Sequence, residues 1–253
     1  MKHKQKREQF SVRMYSHLLI LTAILCLGTN SKVFASGAKL PDIASNNLNG
    51  TQNVSAPNLS NQPVNLPQKE IATILPIADK YAHLDPGKEV PSTLLSRALS
   101  YFDSHSSAIK NKNVIGIIDF KQHSSKERFY IIDIDTGQVD KYLVAHGKNS
   151  DPDYDGFATI FSNTPESQTS SIGFYLTAET YEGGHGYSLA LDGISSTNSN
   201  ARSRSIVIHP ADYVTPGDKI GRSWGCPALE PRYSAQIIDQ IKGGALIYAS
   251  NVY

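Results

Sequence analysis

Apolar positions along this chain change period once, and the change divides its second half into two kinds of element. From Pro91 onward, Leu94, Leu95, Ala98, Leu99 and Phe102 recur at helical spacing on one face, and Pro91 stands where a first turn tolerates a missing N–H. After Asn113 the spacing falls to two, and β-branched and aromatic residues take over. VIGIIDF (114–120), RFYIIDID (128–135) and QVDKYLVAH (138–146) predict strands, the last two joined by a hairpin at Asp135-Thr136-Gly137. GFYLT (173–177), YSLALD (187–192), SIVIH (205–209) and ALIYAS (245–250) predict four more. Pro231 to Lys242 predicts a short helix stopped at Gly243-Gly244. Many short strands, short helices and a helical segment in front predict a mainly β sandwich or barrel.

The first 75 residues follow neither period. Lys2, Lys4, Lys6, Arg7 and Arg13 precede the apolar run LLILTAILCLG (18–28), and Val33-Phe34-Ala35 supplies small residues at the expected cleavage position, the pattern of a signal peptide over 1–35. Eleven apolar residues are too few to span a bilayer, so an uncleaved anchor is the less favoured alternative. Leu25 before Cys26 argues against lipid attachment there. The tract SNNLNGTQNVSAPNLSNQPVNLP (45–67) has seven Asn, three Pro and no charge, so it buries too little apolar surface to offset the entropy of ordering. The predicted organisation is a signal peptide (1–35), a flexible spacer (36–75), a helical lead-in (76–111) and a catalytic domain (112–253).

Removal of the leader alters charge and cysteine chemistry together. The leader holds six of the 24 Lys and Arg but one of the 23 Asp and Glu, so the remaining 218 residues are net acidic, which gives no footprint for nucleic acid. Cys226 becomes the only thiol, which excludes a disulfide within the exported chain. A lone cysteine is often a small core residue. This one lies in GRSWGCPAL (221–229) between Gly225, which lets a backbone approach a ligand, and Pro227, which fixes the next turn.

A thiol nucleophile needs a base and donors for an oxyanion. His209, at the end of SIVIH and 17 residues before Cys226, is the candidate base; the backbone amides of Gly225 and Cys226 are candidate oxyanion donors. Ser223 is either a pocket residue that orients His209 or a turn serine. The loop of YEGGHGYSLALDG (181–193) sets His185 among glycines, with a structural role about as well supported as a functional one. Gly221-Arg222-Ser223-Trp224-Gly225 also fits G-x-S-x-G, but no buried strand precedes it and no histidine follows His209, so Ser223 is disfavoured as nucleophile. Zinc on His185, His209 and Cys226 is chemically conceivable, yet the spacing matches no standard pattern, and no metal or cofactor is expected. Arg202, Arg204, Arg222 and Arg232 crowd the same stretch, which suits either an anionic substrate or a solvated face.

A strand-end histidine, a 17-residue gap and Ser-x-Gly-Cys resemble the signature of the L,D-transpeptidases, the cysteine enzymes of bacterial peptidoglycan. SNTPESQTSSIGFY (162–175), GGHGYSLALDG (183–193), IVIHPADYV (206–214) and GRSWGCPA (221–228) resemble a divergent branch of that family, over about Asn113 to Tyr253. Trp224 replaces the family's second histidine and Ala228 its Arg or Asn. The resemblance implies an L,D-transpeptidase-like β fold, Cys226 as nucleophile, His209 as base, Gly225 and Cys226 as oxyanion donors, and Ser223, Trp224 and His185 lining the site. It further implies peptidoglycan stem peptides as partners and a periplasmic or wall-associated location, with no membrane insertion once the leader is cleaved. The reaction implied is acyl transfer from a tetrapeptide stem, with release of D-alanine, to an amine. Water as acceptor, in an L,D-carboxypeptidase or amidase, and a non-catalytic wall-binding module are the alternatives. A sortase-like reading is disfavoured because that class places its histidine much further upstream of its cysteine.

Overall fold

The structure, a computed structural model, describes residues 79–253; the predicted signal peptide and spacer lie outside the described residues. Eight strands form one twisted sheet: β1 (Val114–Asp119), β2 (Phe129–Asp133), β3 (Val139–Tyr142), β4 (Gly173–Gly183), β5 (Gly186–Gly193), β6 (Val207–Pro210), β7 (Ala228–Leu229) and β8 (Leu246–Ser250). Their order is β3-β2-β1-β8-β4-β5-β6-β7. β1 pairs parallel with β8, β6 pairs parallel with β7, and the other neighbours are antiparallel. Beyond β3, Val144 bridges to Leu229 and the Ala145 N–H donates to the Ala228 carbonyl at 2.9 Å. The first edge therefore meets the last, and the sheet comes close to closing into a barrel, which leaves few strand edges unpaired.

Two helices cover the two faces of the central strands. α1 (Ser92–Ser104) lays Leu94, Ala98, Leu99 and Phe102 against Ile115, Ile117, Tyr130, Ile132, Leu246 and Tyr248. α2 (Pro231–Ile241) buries Ile237, Ile238 and Ile241 with Ile118, Phe129, Ile131 and Ile247 on the other face. Every residue of β1 and of β8 is buried, as expected for strands covered on both sides. Within the predicted helical lead-in, α1 thus packs on the sheet and completes one of its cores.

Several predicted bounds moved, each for a local reason. β4 runs six residues past the predicted Thr177, through an irregularity in register between Thr177 and Thr180, because the outer half of the β4–β5 hairpin is solvent-exposed and carries no apolar period. β6 begins at Val207 rather than Ser205, since Ser205 sits at φ 54, outside the strand region. β7, two residues long, offers no period at all. Among the described residues no helix is long and apolar enough to cross a membrane.

Candidate active site

β6 and β7 bring the histidine and the cysteine to one cleft. Their register pairs His209 with Ala228, two residues past Cys226, and both side chains line one cleft of about 540 Å³. His209 is 3 % exposed; its Nδ1 lies 2.9 Å from the Pro210 carbonyl, and because a carbonyl only accepts, Nδ1 carries the proton. Nε2 is left as the free lone pair. The His185 ring, at the tip of the β4–β5 hairpin, stacks on His209 at 4.4 Å between centroids and 26° between planes. Burial pushes the His209 pKa down, the Pro210 carbonyl opposes this, and His185 adds to the fall.

Cys226 is half-buried, with its thiol 3.5 Å from the Ser205 carbonyl. Burial pushes its pKa above the ordinary 9.0, against smaller opposing effects of the Val207 amide and Arg204. Both directions favour the uncharged form of each group. Alkylation of Cys226 by iodoacetamide is therefore expected to climb with pH to a midpoint above that of an ordinary thiol. A rate already at its plateau near pH 6 would indicate a thiolate–imidazolium pair instead.

The turn carrying Cys226 is shaped from within and from behind. The Ser223 hydroxyl donates to the Cys226 carbonyl at 2.7 Å and accepts the Gly225 N–H at 3.1 Å. These bonds match the turn-serine reading of Ser223 and bear on the candidate oxyanion donors. Ser223 lines the cleft, but its hydroxyl braces the turn rather than orienting His209. The Gly225 amide, expected as an oxyanion donor, is already occupied, while the Cys226 amide has no hydrogen-bond partner among the described residues.

Behind the turn lies a network that sequence reasoning missed. Arg128, His146 and Asp151 are all 0–1 % exposed. Arg128 donates to the Val144 and Gln122 carbonyls and to His146 Nδ1 at 2.7 Å, so the His146 proton sits on Nε2, 3.3 Å from the Asp151 carboxylate. The His146 carbonyl in turn accepts the Ser223 N–H at 2.8 Å. A single charged residue opening the apolar strand sequence RFYIID was the available signal.

Burial, then the Arg128 charge, press the His146 pKa to about 4. The unfolded chain binds a proton near pH 6.5 that the folded one refuses, so stability rises with pH between about 4 and 6.5. Acidification across that window is expected to remove up to about 3 kcal/mol through this group, a loss that His146→Gln should largely abolish in urea titrations at pH 7 and pH 4.5.

Of the four arginines, Arg204 and Arg222 line the cleft and Arg202 and Arg232 do not. Arg204 lines the cleft, but it is spent on the 162–171 loop, donating to the Ser162 and Thr169 carbonyls, each at 2.7 Å, and to Ser167 and Ser171 hydroxyls. Arg222 donates to the Lys148 and Asp151 carbonyls and packs on the Tyr154 ring at 4.1 Å. Arg202 pairs with Glu179 and Asp192, and Arg232 pairs with Glu230 at 2.7 Å, neither of them lining the cleft. Closeness in sequence concealed four separate structural uses. Trp224, by contrast, is 71 % exposed on the rim. Among the described residues no group of His, Cys, Asp or Glu gathers as a metal site, and His185 and His209 stack rather than converge.

The L,D-transpeptidase catalytic domain family matches residues 87–250, a span that takes in α1 as well as the motifs noted in the sequence. Among solved structures, an L,D-transpeptidase from Mycobacterium smegmatis is 15% identical, with 55% of this chain and 58% of that one covered at a TM-score of 0.35. An L,D-transpeptidase from Mycobacterium tuberculosis H37Rv gives 15%, 55%, 58% and 0.37. A helical cell shape determining protein, Pgp2, from Campylobacter jejuni gives 12%, 57%, 49% and 0.38. The chain thus spans less than two thirds of the length of these structures. No curated protein matches it. On the match across residues 87–250, this chain belongs to the L,D-transpeptidase catalytic domain family.

Proposed function

We propose that the protein is an exported peptidoglycan L,D-transpeptidase in which Cys226 is the nucleophile and His209 the base. The observation that carries this reading is one cleft lined by both a half-buried thiol and a histidine whose Nδ1 is tied to the Pro210 carbonyl. As the Cys226 sulfur attacks the amide before the terminal D-alanine of a tetrapeptide stem, its proton passes to His209 Nε2. The tetrahedral oxyanion takes the Cys226 N–H, the amide left free in the turn. Collapse breaks the C–N bond, His209 returns the proton to the departing D-alanine amine, and a thioester remains. An amine of a second stem then attacks the thioester, forming a cross-link and restoring the thiol.

The directions of both shifts, towards an uncharged thiol and an uncharged imidazole, support a step in which proton transfer and attack proceed together. An exported or wall-associated location follows from the substrate and from the leader pattern in residues 1–35. Incubation with disaccharide tetrapeptides should release D-alanine and yield dimers by mass spectrometry. Tripeptide monomers without dimers would replace the amine acceptor with water. Absence of D-alanine release would remove the enzymatic reading and leave a wall-binding module.

A further inference from the structure

The cleft contains no carboxylate among its lining residues, and its two lining arginines, Arg204 and Arg222, donate to backbone carbonyls. Near the rim stands a further cation, Lys148. Lys148 opens a short 3-10 turn (Lys148–Ser150), and its ammonium stands 5.6 Å from the centre of the Trp224 ring. It has no ion pair among the described residues.

The backbone of Lys148 is fixed with unusual care for a surface lysine. Its N–H donates to the Ser223 carbonyl at 2.7 Å, its carbonyl accepts from Arg222 at 3.0 Å, and Gly147 beside it bridges to Ser223. Lys148 and Trp224 are therefore carried on two strands of backbone bolted to each other, one of which also carries the candidate nucleophile. The ring face keeps the ammonium nearby at little cost, since cation and indole attract at this distance. It leaves the remaining ammonium hydrogens for an incoming anion, and it leaves exposed indole surface for apolar groups beside that anion.

We propose that Lys148 and Trp224 form a carboxylate subsite that selects an acidic stem peptide for the cleft. The proposal rests on the function proposed above and adds to it the group that recognises the substrate's charge. A compact ammonium reads a carboxylate as a point charge, which suits a flexible peptide better than the fixed fork of an arginine would. Trp224, standing where the family's second histidine is expected, then serves substrate recognition rather than proton transfer.

Trp224 is the only tryptophan in the chain, so its fluorescence reports on this rim alone. In the full chain carrying Cys226→Ala, which prevents turnover, the tetrapeptide stem with free carboxylates is expected to quench or shift that fluorescence with a Kd about tenfold below that of its carboxamide counterpart, the worth of one charge-assisted hydrogen bond. Adding Lys148→Met should raise the Kd of the acid form to that of the carboxamide form. Adding Lys148→Arg should preserve most of the preference. Equal binding of the two peptides to the Lys148 protein, an unchanged preference in Lys148→Met, or no binding of either peptide would overturn the subsite. Because none of these titrations involves turnover, a protein that binds as stated but releases no D-alanine keeps the subsite and refutes the transpeptidase reading. A protein that releases D-alanine without carboxylate preference does the reverse.

Discussion

Cys226→Ser is expected to leave the fold intact and to lower stem-peptide turnover at least about a thousandfold. Serine differs by one atom and keeps the half-buried position, so the β6–β7 pairing and the Ser223 bonds should persist. What it removes is the nucleophile's acidity. His209 is already a weakened base, through burial and its histidine neighbour, and it can assist a thiol far better than an alcohol. The check is D-alanine release beside an unchanged melting curve. Activity within tenfold of the parent would mean that the sulfur does no chemistry.

Gly225→Ala is expected to cost a hundredfold or more in the same assay and to weaken Cys226 alkylation along with it, by moving the nucleophile rather than removing it. Gly225 sits at φ 125, where L side chains are strained, and an added Cβ would lie 2.6 Å from the Thr169 carbonyl and 3.1 Å from Ile206 Cδ1. The Thr169 carbonyl cannot easily yield, because Arg204 holds it at 2.7 Å. The turn itself must therefore shift, which breaks the Gly225 N–H bond to the Ser223 hydroxyl and displaces Cys226. Backbone strain of this kind adds about 1–3 kcal/mol of destabilisation, so a fall in melting temperature is expected as well. Gly225→Ala with full activity would show that the turn is not the device that aims the thiol.

The contrast between these two residues marks what the sequence could disclose. Cys226 and His209, which line one cleft, stood out as candidates because each is chemically conspicuous: a lone thiol between Gly and Pro, and a histidine closing an apolar strand run. The strands of the core were legible for a related reason, since β1, β2 and β8 are so thoroughly buried that their apolar runs stand out. The support around the site was not. Arg128, His146 and Asp151 lie 18 and 5 residues apart and meet only because β2 pairs with β3 and the chain then turns back through the Lys148–Ser150 turn. The four arginines divide, two in the cleft lining and two outside it, because proximity along the chain carries no information about which carbonyl or carboxylate each will reach once the 162–171 loop and the β4–β5 hairpin are in place. His185 occupies an intermediate position: its glycine-rich setting indicated a tight loop, but only the length of β4 brings the hairpin tip over His209.

A single intact-mass measurement reaches the centre of the account. After brief incubation of the protein with a disaccharide tetrapeptide, the account predicts a covalent adduct equal to the stem without its terminal D-alanine, mapped to Cys226 and absent from Cys226→Ser. A protein that stays unmodified while D-alanine accumulates, or that carries the adduct on another residue, would contradict it.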